Sequence, residues 1–312
     1  MTLKWYLGAL TFILSTSAIF LNLLIFKPVY RLAFSSKKSS VYIIALVNII
    51  NDLCLLAMIA FYLSFSIMAN EYVLTGEIDS QLSVFIGGCW FCAWYIECLI
   101  QVVMAANRLV IITFQKYDVF TYRFTMLIFF IVVVCSAVTA FLDQKVFSCC
   151  VLVIDHQVLS FRFLTSEALG AEDSPYNYSN LVLMWYNLFS NFASSICYII
   201  VFITIRIAGA RVATNTSQDR NKQDVRYLIQ FVSISIFYIF TWISFEILPH
   251  VVPGQVEWFV MVPLLVTLNS SSNSIIYLSV NPEVQKFVPI PWLRKRLFDY
   301  APNSVEAHVI SS

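Results

Sequence analysis

The sequence predicts an all-α membrane protein: a seven-transmembrane helix bundle followed by a short amphipathic eighth helix. Three observations carry that prediction. Apolar residues make up 60% of the chain and charged residues 12%, against about 25% charged in soluble domains. Seven long apolar stretches recur along the chain, each able to cross a hydrocarbon core of about 30 Å at about 1.5 Å per helical residue. Nearly all the basic residues fall in alternate connecting segments, the pattern left by retention on one side of a membrane. The net charge of +1 offers no bulk attraction for nucleic acid.

The apolar stretches place helices at about 5–27, 41–68, 84–114, 124–142, 181–207, 226–249 and 257–280, one unit spanning residues 1–280. The first exceeds the apolar region of about 7–15 residues in a cleaved signal peptide and lacks a small-residue cleavage site, so it reads as a retained signal anchor. Residues 281–312 read as the eighth helix and a cytoplasmic tail. In that tail Trp292, Leu293, Leu297 and Phe298 flank Arg294, Lys295 and Arg296. Apolar burial and attraction to anionic headgroups then act together, which makes membrane lipid a partner. Pro289 and Pro291 confine any helix to either side of them.

All but three of the 19 Lys and Arg, namely Lys4, Lys145 and Arg162, lie after the first, third, fifth or seventh helix. The expected orientation therefore has the N-terminus outside and the tail in the cytoplasm. Asn177-Tyr178-Ser179, in the long outer loop from Asp143 to Asn180, is a glycosylation acceptor under this topology. Asn215-Thr216-Ser217 falls on the cytoplasmic side and Asn269-Ser270-Ser271 inside a helix, so neither is expected to be modified.

Catalytic patterns are missing. There is no Gly-rich phosphate loop, no H-E-x-x-H and no G-x-S-x-G, so an enzyme is not expected. Nor does the seventh helix hold a Lys for a Schiff base, and no organic cofactor is expected. Six of the eight cysteines fall in apolar runs, where they read as small buried hydrophobes; only Cys149 and Cys150 sit in a polar loop.

Three carboxyl groups read as lying at membrane depth: Asp52, Glu97 and Glu246. Charge at such depth is costly and is kept where it has work to do. On the seventh helix Asn269, Asn273 and Tyr277 recur at steps of four, one polar stripe that should face protein, water or an ion rather than lipid.

With these residues in view, the chain resembles a rhodopsin-like G-protein-coupled receptor over essentially its whole length. Asn22 is similar to that family's first-helix asparagine, and Asn51-Asp52-Leu53 to its second-helix acidic motif. Asn107-Arg108 stands where the family has Asp/Glu-Arg-Tyr, and Asn273-Ser274-Ile275-Ile276-Tyr277 resembles Asn-Pro-x-x-Tyr with Ser for Pro. Phe240-Thr241-Trp242 is similar to the sixth-helix aromatic switch, and Asn281-Pro282-Glu283 to the start of the eighth helix. Asn107-Arg108, the Cys149-Cys150 pair followed by Asp155, and Asn281-Pro282-Glu283 look most like serpentine receptor class X of nematode chemoreceptors. Asn107 replaces the family's acidic residue before Arg108, so the family's usual inactive-state pairing is not expected in that form.

The resemblance implies a chemosensory receptor in the plasma membrane, with sensory cilia as its site. It would bind a small molecule in an outer pocket and activate a heterotrimeric G protein at its cytoplasmic face. It assigns ligand binding to Trp90, Trp94, Tyr95, Trp242 and Glu246, and coupling to Asn107, Arg108, Asn273 and Tyr277. It also implies a bond from Cys89 to Cys149 or Cys150. Aligned by Arg108 and Tyr277, the chain gathers Glu97, Asn269, Ser270 and Asn273 around Asp52, like the family's mid-membrane sodium pocket. Two carboxylates there hold either a sodium ion or a shared proton. Two other readings stay open: a seven-helix channel or transporter, whose insect-type form would place its N-terminus inside, and a receptor-like chain that no longer signals.

Overall fold

The computed structural model describes residues 3–34, 40–114, 119–147, 149–164, 177–211, 236–248, 251–252 and 254–288. Seven helices form the bundle. α1 spans Leu3–Ala33, α2 Ser40–Ala69, α3 Gln81–Ile112, α4 Tyr122–Val146 and α5 Tyr178–Arg211. α6 is described over Ile236–Leu248, and α7, Met261–Val280, is entered through a 3₁₀ turn at Val256–Val260. All but α6 are long and apolar enough, as described, to cross a membrane. Their outward faces carry bare aromatic residues: Phe130 is 67% exposed and Phe192 is 73% exposed. That exposure is at home against lipid chains.

Local chemistry sets several ends. Ser80 caps α3 by accepting from Ser83 N at 3.2 Å, Thr121 caps α4 by accepting from Phe124 N at 3.3 Å, and Asn177 caps α5 by accepting from Asn180 N at 2.9 Å. Asn70 ends α2 in the left-handed conformation (φ 55°), which Asn tolerates better than most residues. Within α2 a π turn at Ile59–Leu63 is accommodated by Ser64, whose Oγ donates to the Ile59 carbonyl at 2.9 Å.

The predicted outer loop is not wholly irregular. Between α4 and α5 it contains an antiparallel hairpin, β1 (Val151–Asp155) and β2 (Ser160–Leu164), paired from Val151–Leu164 to Asp155–Ser160. Two strands alone are marginal in water. These persist because every residue of β1 is buried, pressed against α3 and its neighbours.

The expected bridge from Cys89 is replaced by another attachment. Cys149 and Cys150 are bonded to each other, and Cys89 is a free thiol on the exposed side of α3. The helical period turns Gly87, not Cys89, toward the hairpin. A Cβ at Gly87 would collide with the Leu152 carbonyl oxygen, and Gln144 Nε2 donates to that oxygen at 3.0 Å. The missing side chain at Gly87 is what lets the hairpin backbone settle on α3.

Where the eighth helix was expected, the described residues show a single helical turn, α8 (Pro282–Gln285). Asn281 Oδ1 accepts from Glu283 N and Val284 N, each at 3.1 Å, and Arg31 lies over the Phe287 ring at 4.6 Å. The tail residues Trp292 to Phe298, the start of the predicted sixth helix and Asn215 lie outside the described residues.

The core has two apolar halves. One, at the hairpin end, includes Leu55, Phe91 and Tyr95; the other, at the far end, includes Ile25, Ile44 and Ala105. Between them lies a buried polar layer that includes Asn22, Asp52, Glu97, Asn269 and Asn273, all 2% exposed or less.

Candidate functional site

α3 threads three sites in succession. Nearest the hairpin is an aromatic slot around a cavity of about 30 Å³. Trp90 and Trp94 from α3, Phe161 from the hairpin, Asn187 from α5, Trp242 from α6 and Val266 from α7 all line it. Near-parallel rings form one wall. Phe161 stacks on Trp90 (centroids 3.7 Å, 20°), Trp90 on Trp94 (6.3 Å, 14°) and Trp94 on Tyr238 (5.5 Å, 19°). Beneath them Asn187 Oδ1 accepts from Trp94 Nε1 at 3.2 Å and from the Tyr238 hydroxyl at 2.5 Å. Cys98 Sγ and the Tyr238 oxygen lie 2.7 Å apart, and Ser190 Oγ is 3.1 Å from that oxygen. The cluster ties α3, α5 and α6 together at the floor of the slot.

Three of the five residues assigned to ligand binding, Trp90, Trp94 and Trp242, reach the slot. Glu246 instead borders a neighbouring vestibule of about 380 Å³, beside Arg162 and Asn177. Tyr95 is a correction. Its hydroxyl donates to Asp143 of α4, and its ring packs on Tyr186 at 4.3 Å, so it serves the α3–α4–α5 contact. It follows Trp94 by about 100° around the helix, which turns it out of the slot.

About 4.5 Å further along α3 is Glu97, facing Asp52 in the polar layer. Asp52 Oδ2 accepts from Asn48 Nδ2 at 2.8 Å and from Asn273 Nδ2 at 3.3 Å. Glu97 accepts from Asn51 Nδ2 at 3.2 Å, Gln101 Nε2 at 3.3 Å and Asn269 Nδ2 at 3.4 Å. Asn22 Nδ2 donates to the Ser270 carbonyl at 3.0 Å, and Ser274 Oγ donates to Asn22 Oδ1 at 2.8 Å. Among the described residues Asp52 Oδ1, Asn269 Oδ1 and Ser270 Oγ have no hydrogen-bond partner. Buried acceptors gathered in this way suit a small cation or an added proton, either of which supplies the missing positive charge. No cluster of three or more His, Cys, Asp or Glu is present among the described residues, so any ion here relies on neutral oxygens to complete its shell.

About 16 Å beyond Glu97 along α3, Asn107, Arg108 and Tyr277 surround a small cavity at the far end. Arg108 is 8% exposed, and Asn107 Nδ2 donates to Ser40 Oγ at 3.4 Å. Asn273, one turn before Tyr277, belongs to the carboxylate layer instead.

Sequence reasoning missed Asn187, Tyr238, Gln101 and Phe161, and named Asn51 only as part of the motif around Asp52. The first three were open to the rule that singled out Asp52, since each puts a polar group in an apolar run. Phe161 carried no such signal, because its role depends on the hairpin folding back onto α3.

Comparison with known proteins agrees with this arrangement. The family model for the serpentine type 7TM GPCR chemoreceptor Srx matches residues 12–281. The crystal structure of squid rhodopsin superposes with a TM-score of 0.72 at 12% sequence identity, covering 97% of this chain and 92% of that one. At that identity the likeness concerns the fold. No curated protein matches the chain.

Proposed function

The chain belongs to the serpentine type 7TM GPCR chemoreceptor Srx family, and from that premise we propose that it carries a chemical signal across the plasma membrane along α3. A small molecule enters past the hairpin and occupies the aromatic slot. A heterotrimeric G protein engages the far end, where Arg108 and Tyr277 meet. Sensory cilia are the expected location, with the N-terminus and hairpin outside and anionic lipid holding the tail.

The observation that carries this reading is the alignment of three sites on one rigid helix. Trp94 in the slot, Glu97 in the polar layer and Arg108 at the far cavity all belong to α3. Tyr238 adds α6 to the same line, since it bonds Asn187 at the slot and meets Cys98, the neighbour of Glu97. A ligand that presses on Trp94 or Asn187 shifts the equilibrium to the extent that it binds one α3–α6 packing better than the other. The far end then opens by the outward swing of the sixth helix that such receptors use.

In the polar layer Asp52, Asn269, Ser270 and Asn273, with Glu97, would hold a sodium ion, whose hard oxygen preference fits the donor set. An ion that favours the closed packing opposes activation.

The test is a screen of volatile and water-soluble small molecules on cells expressing the chain, read by cAMP, cGMP and calcium. A response that disappears with Trp94→Ala at unchanged surface expression supports the receptor reading. Ion current without any G protein present would establish the channel alternative instead.

A further inference from the structure

Resting on the slot as the ligand site, we propose that its ligand is a small, flat, uncharged molecule with one hydrogen-bond acceptor, such as an aryl ketone or aldehyde, received by the indole N–H of Trp242. The slot is lined almost wholly by apolar groups, and none of its described lining residues is Asp, Glu, Lys, Arg or His. A charged ligand would be stripped of water there with nothing to pair it. Phe161, Trp90 and Trp94 give the slot an aromatic lining, which favours a flat aromatic molecule that can meet their edges and faces. The cavity is small, about 30 Å³, so its lining rings must part to admit a ligand, which favours a small one.

The polar groups at the slot are already engaged, with one exception. Asn187 Oδ1 accepts from Trp94 and Tyr238, and its Nδ2 donates to the Leu183 carbonyl at 2.9 Å. Thr241 Oγ1 donates to the Phe237 carbonyl at 2.9 Å. Trp242 Nε1 is buried and has no hydrogen-bond partner among the described residues. An indole nitrogen can only donate. The group the slot lacks is therefore an acceptor, and a carbonyl oxygen at the edge of a flat apolar body supplies it. A ligand donor would find Asn187 Oδ1 already filled by Trp94 and Tyr238.

The experiment uses the full chain in lipid nanodiscs and three probes of one shape: acetophenone, α-methylstyrene (a methylene in place of the oxygen) and benzoate. Binding is read by quenching of tryptophan fluorescence, without G protein. Trp242→Phe keeps a ring in place and removes the donor. The ratio of acetophenone to α-methylstyrene affinity should fall about five- to tenfold in this variant, the ordinary worth of one net hydrogen bond. Binding of α-methylstyrene should stay within about twofold, which also reports that the variant is folded. In the wild-type chain labelled with ¹⁵N at its indoles, acetophenone should move one indole N–H resonance further downfield than α-methylstyrene does, a readout independent of any variant. An unchanged affinity ratio, tighter binding of benzoate than of acetophenone, no further downfield shift with acetophenone, or no binding by any of the three would each overturn the proposal. Binding with this pattern but no G-protein response would instead count against the receptor reading and leave the ligand class standing.

Discussion

Asp52 and Glu97 belong to one polar layer but have separate sets of amide donors. Asp52→Asn and Glu97→Gln each take one carboxyl group from the same small volume, so their effects on ligand-free activity should not add. The interaction energy in a double-mutant cycle should fall in the range of about 0.5–3 kcal/mol expected for groups sharing one network. Sodium titration then separates the occupants: loss of a sodium effect in either single variant indicates an ion, and a pH effect without a sodium effect indicates a shared proton. At Arg108 the neighbour is Asn107, which already donates to Ser40. A neutral amide restrains a guanidinium less than a carboxylate does. The wild-type receptor should therefore signal without ligand, and Arg108→Ala should remove that signal at equal surface expression. Full basal signalling by Arg108→Ala would show that the arginine plays no part in coupling.

At the scale of elements, the hairpin decides access to the slot. Its backbone seat is Gly87, so Gly87→Ala should lift β1 from α3 and lower stability by about 1–3 kcal/mol, as overpacking does. Melting of the purified protein, and faster protease cleavage near residue 150, would report it. The hairpin tip is pinned at Asp155, which pairs with Arg162 at 2.7 Å and accepts from the Tyr72 hydroxyl at 2.6 Å. Beside it His156 packs edge-on to Tyr72 with centroids 4.3 Å apart. Burial pushes the His156 pKa below its ordinary 6.5, a shift that the Asp155 charge opposes and Lys4 and Arg162 reinforce. A histidine held neutral by the fold stabilises it above about pH 6.5, where the unfolded group is also neutral. As pH falls below that value the released hairpin binds the proton better, and docking weakens. Protection of residues 151–164 against hydrogen exchange, corrected for the slower intrinsic exchange at lower pH, should therefore fall between pH 7.5 and 5.5, and His156→Gln should remove most of that dependence.

For the whole molecule, the asymmetric distribution of basic residues makes a directional prediction. Expressed in glycosylating membranes, the chain should carry glycan at Asn177 and none at Asn215. Asn177 stands at the vestibule and caps α5 through its side-chain oxygen, leaving its amide nitrogen as the attachment atom. A shift in gel mobility abolished by Asn177→Gln would bear this out; modification at Asn215 would invert the topology.

The sequence by itself determined the class of fold and the depth of its charges. Seven apolar stretches and few charges admit only a helical bundle, because lipid cannot satisfy an open backbone. The same cost of burial made Asp52, Glu97 and the Asn269–Asn273 stripe visible in advance. What only the tertiary structure decided is which side chains share a space. Trp94 and Tyr95 are neighbours in sequence, yet one lines the slot and the other braces α4, a division set by helix rotation against its partners. The hairpin stayed hidden because its two five-residue strands have no stability apart from the helices they cover. Its seat was invisible for a related reason: a lone glycine at position 87 acquires meaning only when the Leu152 carbonyl arrives against it.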